Sequence, residues 1–347
     1  MEISASRRFP DWLAELDISV ALSTYEAGKI ILVGRRKDGA LAANERNFSR
    51  AMGLWSDGQT LWAATAFQIW RFENLLAPGY LEKDVDRIYV PRCGHTTGDI
   101  DVHDVAMAQG QLHFVSTLFS TIGTLSMTAS FKPHWTPPFV SQLAAEDRCH
   151  LNGLAVRDDQ VRYATAVSPS DSAEAWRDFR RDGGIVMDIQ SNEIIARGFS
   201  MPHSPRWYQD RLWLLDSGNG RFGYLDPQQR FETVAFCPGY ARGLAFVGNY
   251  AILGLSRPRE QTFNGLALDA ELEKRGAKAR TGLVVVDLKT GNLVHSLYLD
   301  ERIGELYDVI VLPGVRRPRL LGFKTAEIRH TLSIEGRAEV WRSANGD

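Results

Sequence analysis

Cysteine is scarce in this 347-residue chain: Cys93, Cys149 and Cys237 are the three, widely separated and without a Cys-x-x-Cys pair. That odd, scattered set excludes a disulfide framework and a zinc ribbon, and it fits a reducing compartment. Long apolar runs are missing as well. No stretch approaches the roughly 18 apolar residues of a membrane span, and the opening MEISASRRFPDWLAELDIS lacks the apolar core of a signal peptide. Neither sign of charge dominates, because 40 Lys and Arg face 42 Asp and Glu for a formal charge of -2. No overall positive field exists to draw in nucleic acid or anionic lipid. Gly-x-Ser-x-Gly, GxxxxGK[ST] and His-Glu-x-x-His are all absent. The expectation is a soluble cytoplasmic protein whose partner is a small molecule or peptide, with no nucleic-acid or membrane role.

What the chain does contain is short runs of Val, Ile, Leu, Phe, Trp and Tyr bounded by Gly, Asp, Asn or Pro, an all-β signature. The runs carry a period. Aligned beneath one another, Met52-Gly-Leu-Trp, His103-Asp-Val-Ala, Asn152-Gly-Leu-Ala, His203-Ser-Pro-Arg, Arg242-Gly-Leu-Ala and Tyr307-Asp-Val-Ile mark six openings. In the first five, an apolar residue opens the next strand nine positions later: Leu61, Leu112, Val161, Leu212 and Ala251.

The openings are 51, 49, 51, 39 and 65 residues apart, the size of a small antiparallel sheet that must stack on neighbours to bury both faces. The reading is a single β-propeller domain over residues 1–347, with six blades favoured and material left over for a seventh. Strands from both termini are expected to complete one blade and close the ring. Insertions are expected near 117–148 and 257–280, the second containing a short exposed helix in DAELEKRGAKAR.

First strands of propeller blades line the central channel, so equivalent positions form rings around it. One ring is Met52, His103, Asn152, His203, Arg242 and Tyr307; period-two alternation adds Arg50, Asp101, His150, Met201, Tyr240 and Glu305. Eight of the twelve positions hold His, Asp, Glu, Arg or Asn, although strand starts packed between blades should be apolar. Confined polar groups need partners, water or an ion.

Three neutral imidazoles, His103, His150 and His203, suit zinc or another first-row metal, and Asp101, Asn152 or Glu305 offer oxygen to calcium. Arg242, Arg50, Tyr307 and Glu305 are the candidates for binding substrate or moving protons beside that metal. A plainer reading stands beside this one. Each histidine can be a hydrogen-bonded structural residue, a bulge at His203 can turn it away, and Arg50 and Arg242 can simply pair with Glu305 and Asp101. Among the other histidines, His95 is the candidate for the rim. PHWTPPF reads as a packed loop or a lid.

Two blades resemble known propellers. HLNGLAV, followed by VRYATA, is similar to the Asn-Gly-Leu-Ala strand of the gluconolactonase and strictosidine-synthase-like superfamily, which implies a calcium-ligating role for Asn152. MPHSPRWYQDRLWLLDSGNGRF resembles the Pro-His-Ser blade of peptidyl-hydroxyglycine amidating lyase and related NHL propellers, which implies zinc on His203. The chain departs from both. Arg50 and Met52 stand in blade 1, and His203 in blade 4, where the calcium enzymes would offer acids, and Asn152 stands where the zinc lyase would have a further histidine. Over its whole length the chain is similar to a bacterial family of conserved hypothetical propellers with RxMGL, VHDVA, HLNGLAV, MPHSPRW and ARGLA segments.

The functional expectation is a metal-dependent hydrolase or lyase acting on a small polar or peptide-like substrate. Zinc or calcium is favoured. Iron or copper would turn the same geometry toward oxygenase chemistry, and a non-catalytic binding propeller is the rival class.

Overall fold

A computed structural model of the protein describes residues 2–257, 265–335 and 340–342. Six sheets of four or five strands, antiparallel but for one edge pairing, follow one another, and their innermost strands touch in a closed cycle. This is a six-bladed propeller. From the axis outward, blade 1 runs Leu54–Ser56, Thr60–Ala64, Gln68–Asn74 and Arg87–Thr96; blade 2 runs Val102–Ala108, Gln111–Ser116, Thr121–Thr124 and Lys132–Trp135. Blade 3 is Leu151–Arg157, Gln160–Ala166, Gly184–Asp188 and Glu193–Phe199; blade 4 is Pro202–Tyr208, Arg211–Asp216, Arg221–Leu225 and Phe231–Phe236. Blade 5 comprises Tyr240–Val247, Tyr250–Ser256, Gly282–Asp287 and Leu293–Leu299.

Blade 6 closes the ring as expected. Its innermost strand, Asp308–Pro313, pairs with Ile18–Thr24, which continues through Lys29–Arg35 to Leu41–Asn47. The leftover segments do not make a seventh blade. Ile3–Ala5 adds an antiparallel edge to blade 5, and Pro318–Leu320 adds a parallel edge to blade 1.

Period-two alternation explains the packing. In blade 6, Val20, Leu22, Ile31 and Val33 face blade 5, whereas Ala21, Ile30 and Leu32 face blade 1. Every pair of neighbouring blades shares such an apolar cluster, each fully buried aliphatic side chain contributing about 1.5–3 kcal/mol. The helix Phe9–Glu15, unforeseen in the sequence, seats Phe9, Trp12 and Leu13 in the cluster between blades 5 and 6.

The residue after each opening position alternates around the ring. Gly53, Gly153 and Gly243 let the next blade approach; a β-carbon at Gly243 would lie 2.6 Å from the amide nitrogen of Val309, and the backbone there has φ +83°. The intervening blades carry Asp104, Ser204 and Asp308, which clamp the next blade by accepting from backbone amides. Asp104 Oδ2 takes Leu154 N at 3.1 Å, Asp308 Oδ2 takes Leu54 N at 2.8 Å, and Ser204 Oγ takes Gly243 N at 3.0 Å. Arg206 then reaches across the axis to both oxygens of Asp104, at 2.8 and 3.0 Å.

Two expected insertions read differently in the structure. Within 117–148, Thr121–Thr124 and Lys132–Trp135 are the third and fourth strands of blade 2, too short and, at Pro133, too irregular to show a clear period. Within PHWTPPF, Trp135 and Phe139 pack against the cluster between blades 2 and 3, and Trp135 Nε1 donates to Asn192 Oδ1 at 2.8 Å. Of the 257–280 segment, residues 258–264 lie outside the described residues. Its helix, Ala267–Lys274, is not simply exposed: Leu268 and Leu272 are buried with Val167, Trp176, Met201 and Tyr240. No helix among the described residues is long and apolar enough to cross a membrane.

Candidate functional site

Four of the six residues two positions before the openings share a backbone feature. Arg50, Asp101, His150 and Met201 have φ of +48°, +53°, +49° and +49°. This left-handed turn costs a side chain-bearing residue roughly 1–2 kcal/mol, and it replaces the extended alternation expected from the sequence. It swings the chain from the preceding connection into the axial strand. Asp101, His150 and Met201 thereby reach the channel mouth, where they line a pocket of about 290 Å³ with His103, Arg242, Tyr307, Tyr25, Asp147 and Trp176.

Hydrogen bonds assign the histidine tautomers. His103 Nδ1 lies 3.3 Å from the carbonyl oxygen of Asp101, and His203 Nδ1 lies 2.8 Å from that of Met201. A carbonyl oxygen only accepts, so both Nδ1 atoms carry the proton. His150 Nδ1 faces Asp147 Oδ2 at 2.8 Å, and the same carboxylate oxygen accepts Trp176 Nε1 at 2.8 Å. Trp176 also stacks on the His150 ring with centroids 4.0 Å apart. The His103 and His150 rings meet edge to face at 5.0 Å.

Arg242 stands at the centre. Its Nη2 donates to His203 Nε2 at 3.1 Å, and its guanidinium carbon sits 4.2 Å above the Tyr307 ring. Among the described residues no carboxylate forms a salt bridge with it, whereas Arg206, on the same axis, is held by Asp104. Burial alone would drive Arg242 toward losing its proton, but Tyr307, Tyr240, Glu305 and Asp101 together outweigh that and keep it charged. Burial holds His103 and His203 well below the ordinary imidazole value, with His150 and Arg242 adding to it for His103 and Arg242 for His203. The Tyr307 phenol is pushed well up by burial, and the Asp101 carboxyl is raised by burial against the pull of His150, Arg242 and Arg50.

Not every expected residue enters the pocket. Arg50 stays at the rim, where it pairs with Asp99, donates to the Ala66 carbonyl at 3.3 Å and meets the Tyr25 hydroxyl at 3.4 Å. Glu305 accepts the backbone N–H of Glu26 at 3.0 Å and so braces the mouth. Asn152 Oδ1 accepts from the Thr165 hydroxyl at 2.8 Å, behind the pocket wall. His203 points to the axis despite the bulge that follows it, yet it lies beneath Arg242, which uses its Nε2 lone pair. His95 belongs to the outermost long strand of blade 1, stacked on Trp62 with Cys93 Sγ 3.3 Å from its Nε2, away from the mouth. Sequence reasoning missed Asp147, Trp176 and Tyr25, which stand outside the repeat register. The one usable signal was Asp147 three residues before His150.

The ligand set expected for a metal does not assemble. Among the described residues no group of three or more His, Cys, Asp and Glu is arranged to hold a metal ion. A guanidinium occupies the place where His203 would join His103 and His150.

Residues 7–321 match the family described as "Domain of unknown function (DUF4915)". The chain belongs to that family. No curated protein matches this DUF4915 chain. Among solved structures, a protein of unknown function from Bacteroides caccae is 10% identical, covering 86% of this chain and 99% of its own, with a TM-score of 0.53. The nidogen/laminin complex contributes a chain 11% identical, covering 86% and 99%, with a TM-score of 0.52. A gluconolactonase from Xanthomonas campestris is 12% identical, covering 83% and 86%, with a TM-score of 0.49. The first two likenesses show the propeller fold.

Proposed function

We propose that the axial pocket is the active site of a hydrolase or lyase acting on a small anionic substrate, by acid–base chemistry without a resident metal. The observation that carries this reading is a half-buried Arg242 that no carboxylate among the described residues salt-bridges, beside a His150 whose Nδ1 is held by Asp147. Arg242 anchors a carboxylate or developing oxyanion. Asp147 fixes the His150 tautomer, so Nε2 is the atom that takes a proton from substrate or from water and later returns it. Tyr307, kept protonated by burial, donates to the same oxygen. The donor set is ill suited to a metal, because a cation sits where the third ligand would be, and the oxygenase alternative weakens with it.

The test is turnover of a panel of small esters, lactones and hydroxy or amino carboxylates, followed by NMR. Wild-type protein is expected to convert at least one member, His150→Gln to lose on the order of 10²–10⁴-fold in rate, and chelation to change nothing. Elemental analysis of protein purified without added metal is expected to find no stoichiometric zinc, calcium, iron or copper. Activity that survives His150→Gln or disappears on chelation overturns the proposal. Tight binding without turnover of any member would establish the rival binding propeller.

A further inference from the structure

The pocket's hydrogen-bonding groups are unequally distributed. The donors are Arg242 and the Tyr307 hydroxyl, the latter without a partner among the described residues. The other groups are acceptors. With Nδ1 protonated on His103 and His150, each presents an Nε2 lone pair, and no hydrogen bond to either Nε2 occurs among the described residues. Oδ1 of Asp101 and Oδ1 of Asp147 are also buried without partners.

We infer that the substrate is a small aliphatic amino acid, or the amino-acid-like end of a slightly larger molecule, with its carboxylate on Arg242 and its ammonium between His103 and His150. This rests on the reading of Arg242 as the anion anchor. The two Nε2 lone pairs and the partly exposed Asp101 carboxylate line the pocket as acceptors, and an ammonium has three N–H groups to give them where a hydroxyl has one. Formal charge points the same way. Inside the pocket Asp101 and Asp147 carry the acidic groups against Arg242, while Glu174 and Arg177 pair with each other at the rim at 3.0 Å.

An aromatic ligand is disfavoured because the chain stacks its own groups on each pocket ring. Tyr307 has Tyr25 at 5.7 Å and Arg242 at 4.2 Å, and Trp176 has His150 at 4.0 Å and Arg177 at 4.6 Å. The pocket of about 290 Å³ takes a ligand of on the order of ten non-hydrogen atoms.

The experiment is calorimetric titration of the full chain at neutral pH with three matched ligands: norvaline, 2-hydroxypentanoate and pentanoate. Norvaline is expected to bind at least about tenfold tighter than the other two, since the donors they lack would leave acceptors unpaired. His103→Leu is expected to erase that preference while pentanoate binding persists. Equal binding of norvaline and pentanoate, or preference for the hydroxy acid, overturns the amino-acid assignment. If in either case Arg242→Lys also weakens pentanoate, the anion anchor still stands. Failure of all three ligands to bind wild-type protein overturns both readings at once.

Discussion

Asp147 illustrates how much one side chain outside the repeat decides. It lies three residues before His150, it accepts from both His150 Nδ1 and Trp176 Nε1, and it therefore chooses which imidazole nitrogen meets the substrate. Asp147→Asn is expected to lower the turnover rate on the order of 10²–10⁴-fold with little change in KM. Trp176→Phe, which removes one donor and keeps most of the stack, is expected to cost far less; initial-rate kinetics on the converted panel member would check both. His103 and His203 make a separate prediction about pH. Burial keeps them neutral in the folded state, so below about pH 6.5 the unfolded chain binds protons that the folded chain does not. Their contribution is fully present above that pH and falls as pH drops, by up to about 1.4 kcal/mol per unit for each histidine. Urea unfolding from about pH 7 to about pH 5 is expected to show this acid-side decline, and His103→Gln to reduce its slope.

Strand openings are the element on which the design depends. Where Gly-Leu recurs, in blades 1, 3 and 5, the next blade crowds the place of a β-carbon, with its backbone at Gly53 and Gly243 and with the Pro205 ring at Gly153. Gly243→Ala would meet the Val309 amide at 2.6 Å with φ at +83°, whereas Gly53→Ala would meet Asp104 Cα at 3.1 Å with φ unconstrained. Chemical denaturation should therefore rank them, with a loss of about 2–4 kcal/mol for Gly243→Ala and about 1 kcal/mol for Gly53→Ala. The clamp residues on the alternate openings add a titration of opposite sign to the histidines. Burial raises Asp308 to about 7, with Arg206 opposing and Asp104 reinforcing it. Its proton stabilises the fold fully below the ordinary carboxylate value, and that contribution is lost as pH rises through about 7. Asp308→Asn keeps an oxygen for Leu54 N and cannot titrate. Its unfolding free energy is expected to keep the histidine decline on the acid side but to stay level from about pH 7 to about pH 8, where wild type declines by the Asp308 contribution.

The ring as a whole stands or falls on blade 6. Its inner strand, Asp308–Pro313, comes from late in the chain, and the three strands that cover it, from Ile18 to Asn47, come from its beginning. Truncation after Gly304 removes the inner strand and leaves the faces built from Ala21, Ile30 and Leu32 and from blade 1 half-covered. Thermal unfolding of that truncation is expected to lose its single sharp transition. Truncation after Glu335, which spares both blade 6 and the edge Pro318–Leu320, is expected to keep it.

Six openings, five of them at a common offset, made the ring, its closure and the axial position of His103, His150, His203, Arg242 and Tyr307 legible in the sequence, because stacking blades forces equivalent positions to one axis. Short strands such as Thr121–Thr124 and the helix Phe9–Glu15 were not legible, since each is too brief to show a period of its own. Which of the gathered side chains meet, and how, was decided only in three dimensions. Left-handed turns at Asp101 and His150, the guanidinium lodged against His203, and the Trp176 loop from blade 3 covered by helix Ala267–Lys274 from blade 5 bring together residues with no common spacing. A repeat can announce where its copies converge; distances between loops that each copy carries differently depend on packing that no single repeat contains.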